Sequence, residues 1–260
     1  TITSGTGETA TVTAGTSTSV DAITISGAGA TTITALTASS LDAINGGTAT
    51  GAVTLGSASA ALSVAAGATF TTGEGNDTIT MSTLASLTLA AGEKTPDNDV
   101  LVIVGTQNSG TATVDLSSAT DQISNLNGFS DSATQTGFES VDLSAVTSTG
   151  PYGFQVTAAV AGSTITSSDY NDTFILGEGA DVVVLTTSNG VDTITGFTVG
   201  EDHLNIDALV GSSVTAFSAS IAAADSATAD TVVTDQIIFV TGASAGDADA
   251  AAAAATEITA

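Results

Sequence analysis

Hydrophobic positions along this chain come in short bursts. Ile23-Thr24-Ile25 alternates apolar and polar residues, and β-branched residues recur between small turn residues in ATVTAG, DAITISGAG, GAVTLGS and ALSVAAGATF. Brief alternation closed by Gly or Ser reads as a short strand. Such runs follow one another over residues 1–70 with few charges. They predict stacked short strands in a solenoid-like segment, with rungs of about 18–22 residues. Over residues 71–207 the apolar runs alternate with acidic turns. The segment 208–260 is Ala-rich, with one strong strand candidate at Asp235–Thr241. Poly-Ala at Ala250–Ala255 favours a minor C-terminal helix by propensity. The expected class is all-β, in three segments bounded near residues 70 and 207.

Composition sharpens this picture. Ala supplies 45 residues and Thr 48 of the 260, while aromatics make up only 4%. A chain that buries many small side chains and few large ones suits thin, stacked β-architecture better than a thick core. Mean hydropathy is +0.39 and 11% of residues are charged, which opposes disorder. With no Cys there is no disulfide framework and no thiolate metal site. No apolar run approaches the length of a membrane-spanning helix. Thr1 in place of Met makes a processed form or a fragment the expectation.

Charge narrows the partners. One Lys faces 27 carboxylates, for a net charge of −26. Nucleic-acid binding needs Lys and Arg against phosphate, and this chain has almost none. A polybasic membrane-surface role fails for the same reason. Two like charges about 5 Å apart repel by about 3 kcal/mol at an effective dielectric near 20. Clustered carboxylates therefore call for a cation between them, and Ca²⁺ is the hard ion best matched to Asp, Asn and carbonyl oxygen. An acidic surface kept soluble by self-repulsion is the plainer alternative.

The acidic turns share a pattern. Gly73-Glu74-Gly75-Asn76-Asp77-Thr78-Ile79 and Gly177-Glu178-Gly179-Ala180-Asp181-Val182-Val183 both read G-x-G-x-D-x-apolar. Gly190-Val191-Asp192-Thr193-Ile194 keeps the second half, and Asn171-Asp172-Thr173-Phe174 keeps only the last part. Glycine reaches backbone angles closed to other residues, so its carbonyl can turn inward while the Asp closes the ring. The apolar residue two positions on then starts a strand into the core.

These segments resemble RTX-type β-roll proteins, and more closely the large surface-layer and matrix proteins secreted by type I systems. Gly137–Ser144 (GFESVDLS) is similar to a recurring phrase of such proteins. Asp192–Asp202 (DTITGFTVGED) is similar to the sequence that closes an RTX block. The resemblance covers about residues 71–207. It lacks the leading Gly of the repeat, and only two copies, ending on Asp172 and Asp181, keep the nonapeptide step. It implies a parallel β-roll with turns of about 18 residues and Ca²⁺ between stacked turns. Asp172 and Asp181 then lie on opposite edges. Their partners about 18–22 residues on are Asp192 for Asp172 and Glu201 or Asp202 for Asp181, while Asp77 reaches Asp97 and Asp99. Carbonyls of Gly73, Gly75, Gly177, Gly179 and Gly190 complete the expected ion sites, and Asp169 is a further candidate. The alternative is that each Asp builds only an Asx-turn or caps a loop. Asp115, Glu139 and Asp142 fit no repeat and are expected to be solvated.

Catalytic signals are weak. His203 is the only His and has no second His at metal spacing. Gly242-Ala243-Ser244-Ala245-Gly246 matches a nucleophile elbow by letter, but that pattern expects a His after the Ser. No H-E-x-x-H and no P-loop occur. The expectation is a non-enzymatic structural protein outside the cell that folds on Ca²⁺ and associates with copies of itself into a surface layer, matrix or filament. The alternatives are an RTX secretion and folding module of a larger secreted enzyme, and an adhesin segment.

Overall fold

Ile33, Leu55, Ile79, Leu101, Val141, Ile165 and Val183 are register partners on successive strands, and none exposes more than 1% of its surface. They form one aliphatic column. Each burial of this kind contributes about 1.5–3 kcal/mol, and β-branched residues fit the pleat on which they stack. The computed structural model in which this column stands describes residues 1–206 and 208 apart from 18–20, 39, 60, 84–85, 93–96, 129–132, 148–149, 188–189 and 199, together with two later strands.

The column lies inside a parallel β-solenoid of about eight turns. Its spine sheet takes one strand per turn: Thr9–Ser17, Ala30–Ala38, Val53–Leu55, Thr78–Ser82, Val100–Thr106, Ser140–Asp142, Thr164–Thr166, Val182–Val184 and His203–Asn205. A first flank sheet faces the N-terminal turns, in the order Ile2–Ser4, Ala22–Gly27, Ala43–Ala49, Thr69–Thr71, Thr88–Ala90 and Gln135–Thr136. A second flank sheet takes over with Ala112–Asp115, Phe154–Thr157, Thr173–Ile175, Thr193–Thr195, Ala219–Ala222 and Ile237–Ile238. Ile44, Phe70 and Leu89 fill the first flank, and Val114, Val156, Phe174 and Ile194 the second.

The all-β solenoid expected from the sequence is the fold observed. Positions linked by a carboxylate on successive rungs are 18 to 24 residues apart, with one step of 40, and the strand register between Thr193 and Ser220 spans 27. The expected range of about 18–22 is thus too narrow. The long step holds the handover between flanks. There Ile123–Asn125 pairs antiparallel with Ala112–Asp115, and Gln135–Thr136 closes the first flank. Buried amides stitch this seam. Gln122 Nε2 donates to the carbonyls of Leu116 (3.0 Å) and Phe138 (2.7 Å) while its Oε1 accepts from Phe138 N–H at 3.0 Å. Gln135 Nε2 donates to Leu87 O at 2.8 Å. The strand expected at Asp235–Thr241 includes Ile237–Ile238, and the expected helix at Ala250–Ala255 lies outside the described residues.

Candidate functional site

A parallel strand needs an acceptor on the next rung for every second N–H, and where the next rung bends into a turn no carbonyl is at hand. Acidic side chains fill that gap here. On the spine, Val53 N–H donates to Asp77 Oδ1, Asp77 N–H to Asp99 Oδ1, and Asp99 N–H to Glu139 Oε2, each at 2.7 Å. Further along the same edge, Ser163 N–H donates to Asp181 Oδ1 at 2.7 Å and Asp181 N–H to Asp202 Oδ1 at 2.9 Å. On the second flank, Phe154 N–H donates to Asp172 Oδ1 at 2.7 Å and Asp172 N–H to Asp192 Oδ1 at 2.9 Å. The carboxylates thus extend the backbone ladder past the ends of the strands.

The pairs picked out by spacing are the pairs that stack: Asp77 with Asp99, Asp172 with Asp192, and Asp181 with Asp202. Asp172 and Asp181 lie on different sheets. Of the two partners expected for Asp77, Asp99 enters the column and Asp97 does not, and of the alternatives Glu201 and Asp202 it is Asp202 that enters. Asp97 is half-buried beside it, whereas Glu201 and Asp169 are exposed. Glu139, expected to be solvated, is half-buried and accepts the Asp99 amide. The 40-residue step hides this link from any repeat spacing.

Asparagine completes the links. Asn98 N–H donates to Asn76 Oδ1 at 3.3 Å, and Val191 N–H to Asn171 Oδ1 at 2.8 Å. Each runs opposite in direction to the neighbouring aspartate bond, so an Asn-Asp pair closes a reciprocal two-bond clasp on the next rung. The dipeptides Asn76-Asp77 and Asn171-Asp172 were the legible signal for these partners.

The glycines keep rungs close. Gly73 is buried, and a Cβ there would run into the Ala49 carbonyl on the preceding rung. Gly179 has φ +94°, a conformation that favours glycine, and sits against Ala161 and Gly162. Gly75 and Gly190 also face the preceding rung, whereas Gly177 stands in open space. At Gly177 it is the amide that points at Asp181, to Oδ2 at 3.4 Å.

The second oxygens divide the site. Asp77 Oδ2 and Asp99 Oδ2 are fully buried and, among the described residues, make no well-formed hydrogen bond; the Thr72 hydroxyl lies near enough to Asp77 to ease its burial without closing one. Burial pushes the Asp77 carboxyl up to about 6, tempered by the Thr72 hydroxyl and the Val53 amide and raised again by Asp97. Burial pushes Asp99 up to about 8 against the Asp77 amide, with Asp77, Glu139 and Asp97 adding repulsion. By contrast, Asp172 Oδ2 accepts from Ser168 N–H at 2.8 Å, and Asp202 Oδ2 from Thr198 N–H at 2.6 Å. Burial raises Asp172 to about 6, opposed by its amide and Ser168 bonds. It raises Asp181 as well, opposed by the Ser163 and Gly177 amides.

A Ca²⁺ ion takes oxygen ligands. The Asp77–Asp99 step offers orphaned, buried carboxylate oxygens and fits such an ion, with further ligands drawn from carbonyls or water. Asp172, Asp181 and Asp202 are surrounded by N–H and O–H donors and fit it poorly. Among the described residues no three acidic or His side chains converge at metal-binding distance. His203 is exposed at the start of its strand, and Ser244 lies outside the described residues. No family model matches the chain, and neither a curated protein nor a solved structure is similar to it.

Proposed function

We propose that this chain is a structural protein of the cell exterior, a calcium-responsive β-solenoid that stacks end to end into a layer, matrix or filament. One observation carries the reading: the rungs of the solenoid are joined through carboxylates, and at the Asp77–Asp99 step two buried carboxylate oxygens are left for a cation. A head-to-tail contact between copies that does not close on itself grows without limit.

Charge makes assembly depend on cations, since the net charge of the chain is −26. Repulsion keeps copies apart until cations screen it. Asp77 and Asp99, with Thr72 beside them, would hold Ca²⁺. An ion bound only by the folded state stabilises it by about 2.7 kcal/mol at a hundredfold excess over Kd. The likeness of the G-x-G-x-D turns to type I-secreted surface-layer proteins supports the extracellular setting.

The test is assembly. The same chain should stay monomeric in EDTA and form elongated species by sedimentation and electron microscopy in millimolar Ca²⁺. Wild type that remains monomeric there would refute the proposal.

A further inference from the structure

We infer that Asp172, Asp181 and Asp202 are two-oxygen staples that lock the C-terminal rungs without any ion. Each carboxylate makes two distinct kinds of bond. One oxygen accepts an N–H from the preceding rung: Phe154 for Asp172, Ser163 for Asp181, Asp181 for Asp202. The other accepts the N–H four residues back in its own turn: Ser168 at 2.8 Å, Gly177 at 3.4 Å and Thr198 at 2.6 Å. The Ser168 hydroxyl adds bonds to both oxygens of Asp172, at 3.0 and 2.9 Å. One side chain therefore fixes the shape of its turn and the distance to the next.

An internal control supports this. Ser163 is the register equivalent of Asp181 on the preceding rung and has a single side-chain oxygen. That oxygen accepts the N–H four residues back, from Ala159 at 2.7 Å. No bond from Ser163 Oγ to the rung before it accompanies this, and the carboxylate chain breaks between Glu139 and Ser163. One oxygen closes the turn; two close the turn and join the rungs. Asparagine puts an NH2 donor where the second oxygen stood, so it cannot hold the two N–H donors on two separate oxygens as the carboxylate does. Charge-assisted bonds of this type are the stronger class, and they supply what an ion between turns would otherwise supply. The inference is independent of Ca²⁺ at the Asp77–Asp99 step, whose amides report separately.

Residue-level amide hydrogen exchange on the full chain in excess EDTA tests it. In wild type, the Phe154, Ser163, Asp181 and Thr198 amides should stay as protected as they are with Ca²⁺. In Asp181→Asn and Asp202→Asn, one amide of each served pair, Ser163 with Gly177 or Asp181 with Thr198, should exchange about tenfold faster, as expected for one lost charge-assisted bond. Wild-type amides that lose protection in EDTA and regain it with Ca²⁺ would overturn the inference. So would full protection of both amides in both variants. Collapse confined to the Val53 and Asp77 amides in EDTA would support calcium at the N-terminal step and leave the staples standing.

Discussion

The two ends of the acidic ladder do different chemistry with the same side chain. At Asp77 and Asp99 one oxygen joins the rungs and the other is buried and, among the described residues, makes no well-formed hydrogen bond. At Asp172 and Asp202 both oxygens are engaged by N–H donors. The difference lies in the turn before the aspartate. At Asp172 and Asp202 the amide four residues back saturates the carboxylate. At Asp77 and Asp99 an oxygen is left in a dry interior without a partner among the described residues. One half of the ladder is thus self-sufficient in hydrogen bonds, and the other leaves open oxygens.

The largest expected effect comes from deleting a saturated carboxylate. Asp181→Ala strands the Ser163 amide, which is paired in a buried place, and frees the Gly177 amide. Two lost bonds to a charged acceptor and a buried unsatisfied donor should cost about 3 kcal/mol or more, read as a drop in the denaturation midpoint. Asp99→Asn should do the reverse at pH 8 in EDTA. Its Oδ1 still accepts the Asp77 amide, while the repulsion from Asp77, Glu139 and Asp97 disappears. A raised Tm for D99N beside a lowered Tm for D181A is the clearest form of the contrast, and equal losses would erase it.

Acidity should give the next largest effect. The folded-state values of about 6 for Asp77, 8 for Asp99 and 6 for Asp172 all lie above the ordinary value of 3.8. Between these limits the folded chain holds protons that the unfolded chain releases. Stability in EDTA should therefore fall as pH rises from about 4 to 8, the opposite of ordinary acid denaturation. D99N should flatten the upper part of that fall, and Ca²⁺ should restore more stability at pH 8 than at pH 5. A Tm that climbs from pH 5 to pH 8 in EDTA would contradict the buried-acid account.

Legibility followed period. The pairs Asp77–Asp99, Asp172–Asp192 and Asp181–Asp202 could be read because each turn between them is close to 20 residues, and an acid at each rung leaves a letter in the sequence. Glu139 could not, because the flank handover inserts a long excursion between it and Asp99. The buried Gln122 and Gln135 were hidden for the same reason: their role depends on a hairpin and a sheet end that no repeat announces. The own-turn half of each staple was also invisible. Its donor is a backbone N–H, which every residue except proline carries, so Gly177 reads as a carbonyl ligand to an ion and not as an N–H donor to Asp181.

The smallest expected effect is the one that should not distinguish the two halves. Asn76 Oδ1 accepts the Asn98 amide, and Asn171 Oδ1 accepts the Val191 amide. Both are neutral bonds at exposed asparagines, made next to an aspartate link that points the other way. Replacing either by Ala removes one half of a clasp and leaves the carboxylate bond in place. The freed amide can turn to water, so each loss should be about 0.5–1.5 kcal/mol. Because the asparagine carries no charge, N76A and N171A should be equally sensitive to pH and to Ca²⁺ as the wild-type chain. If N76A instead abolished the Ca²⁺ response while N171A did not, Asn76 would belong with Asp77 and Asp99 around the ion, and the boundary between the open and self-sufficient halves would have to include the amide as well as the acids.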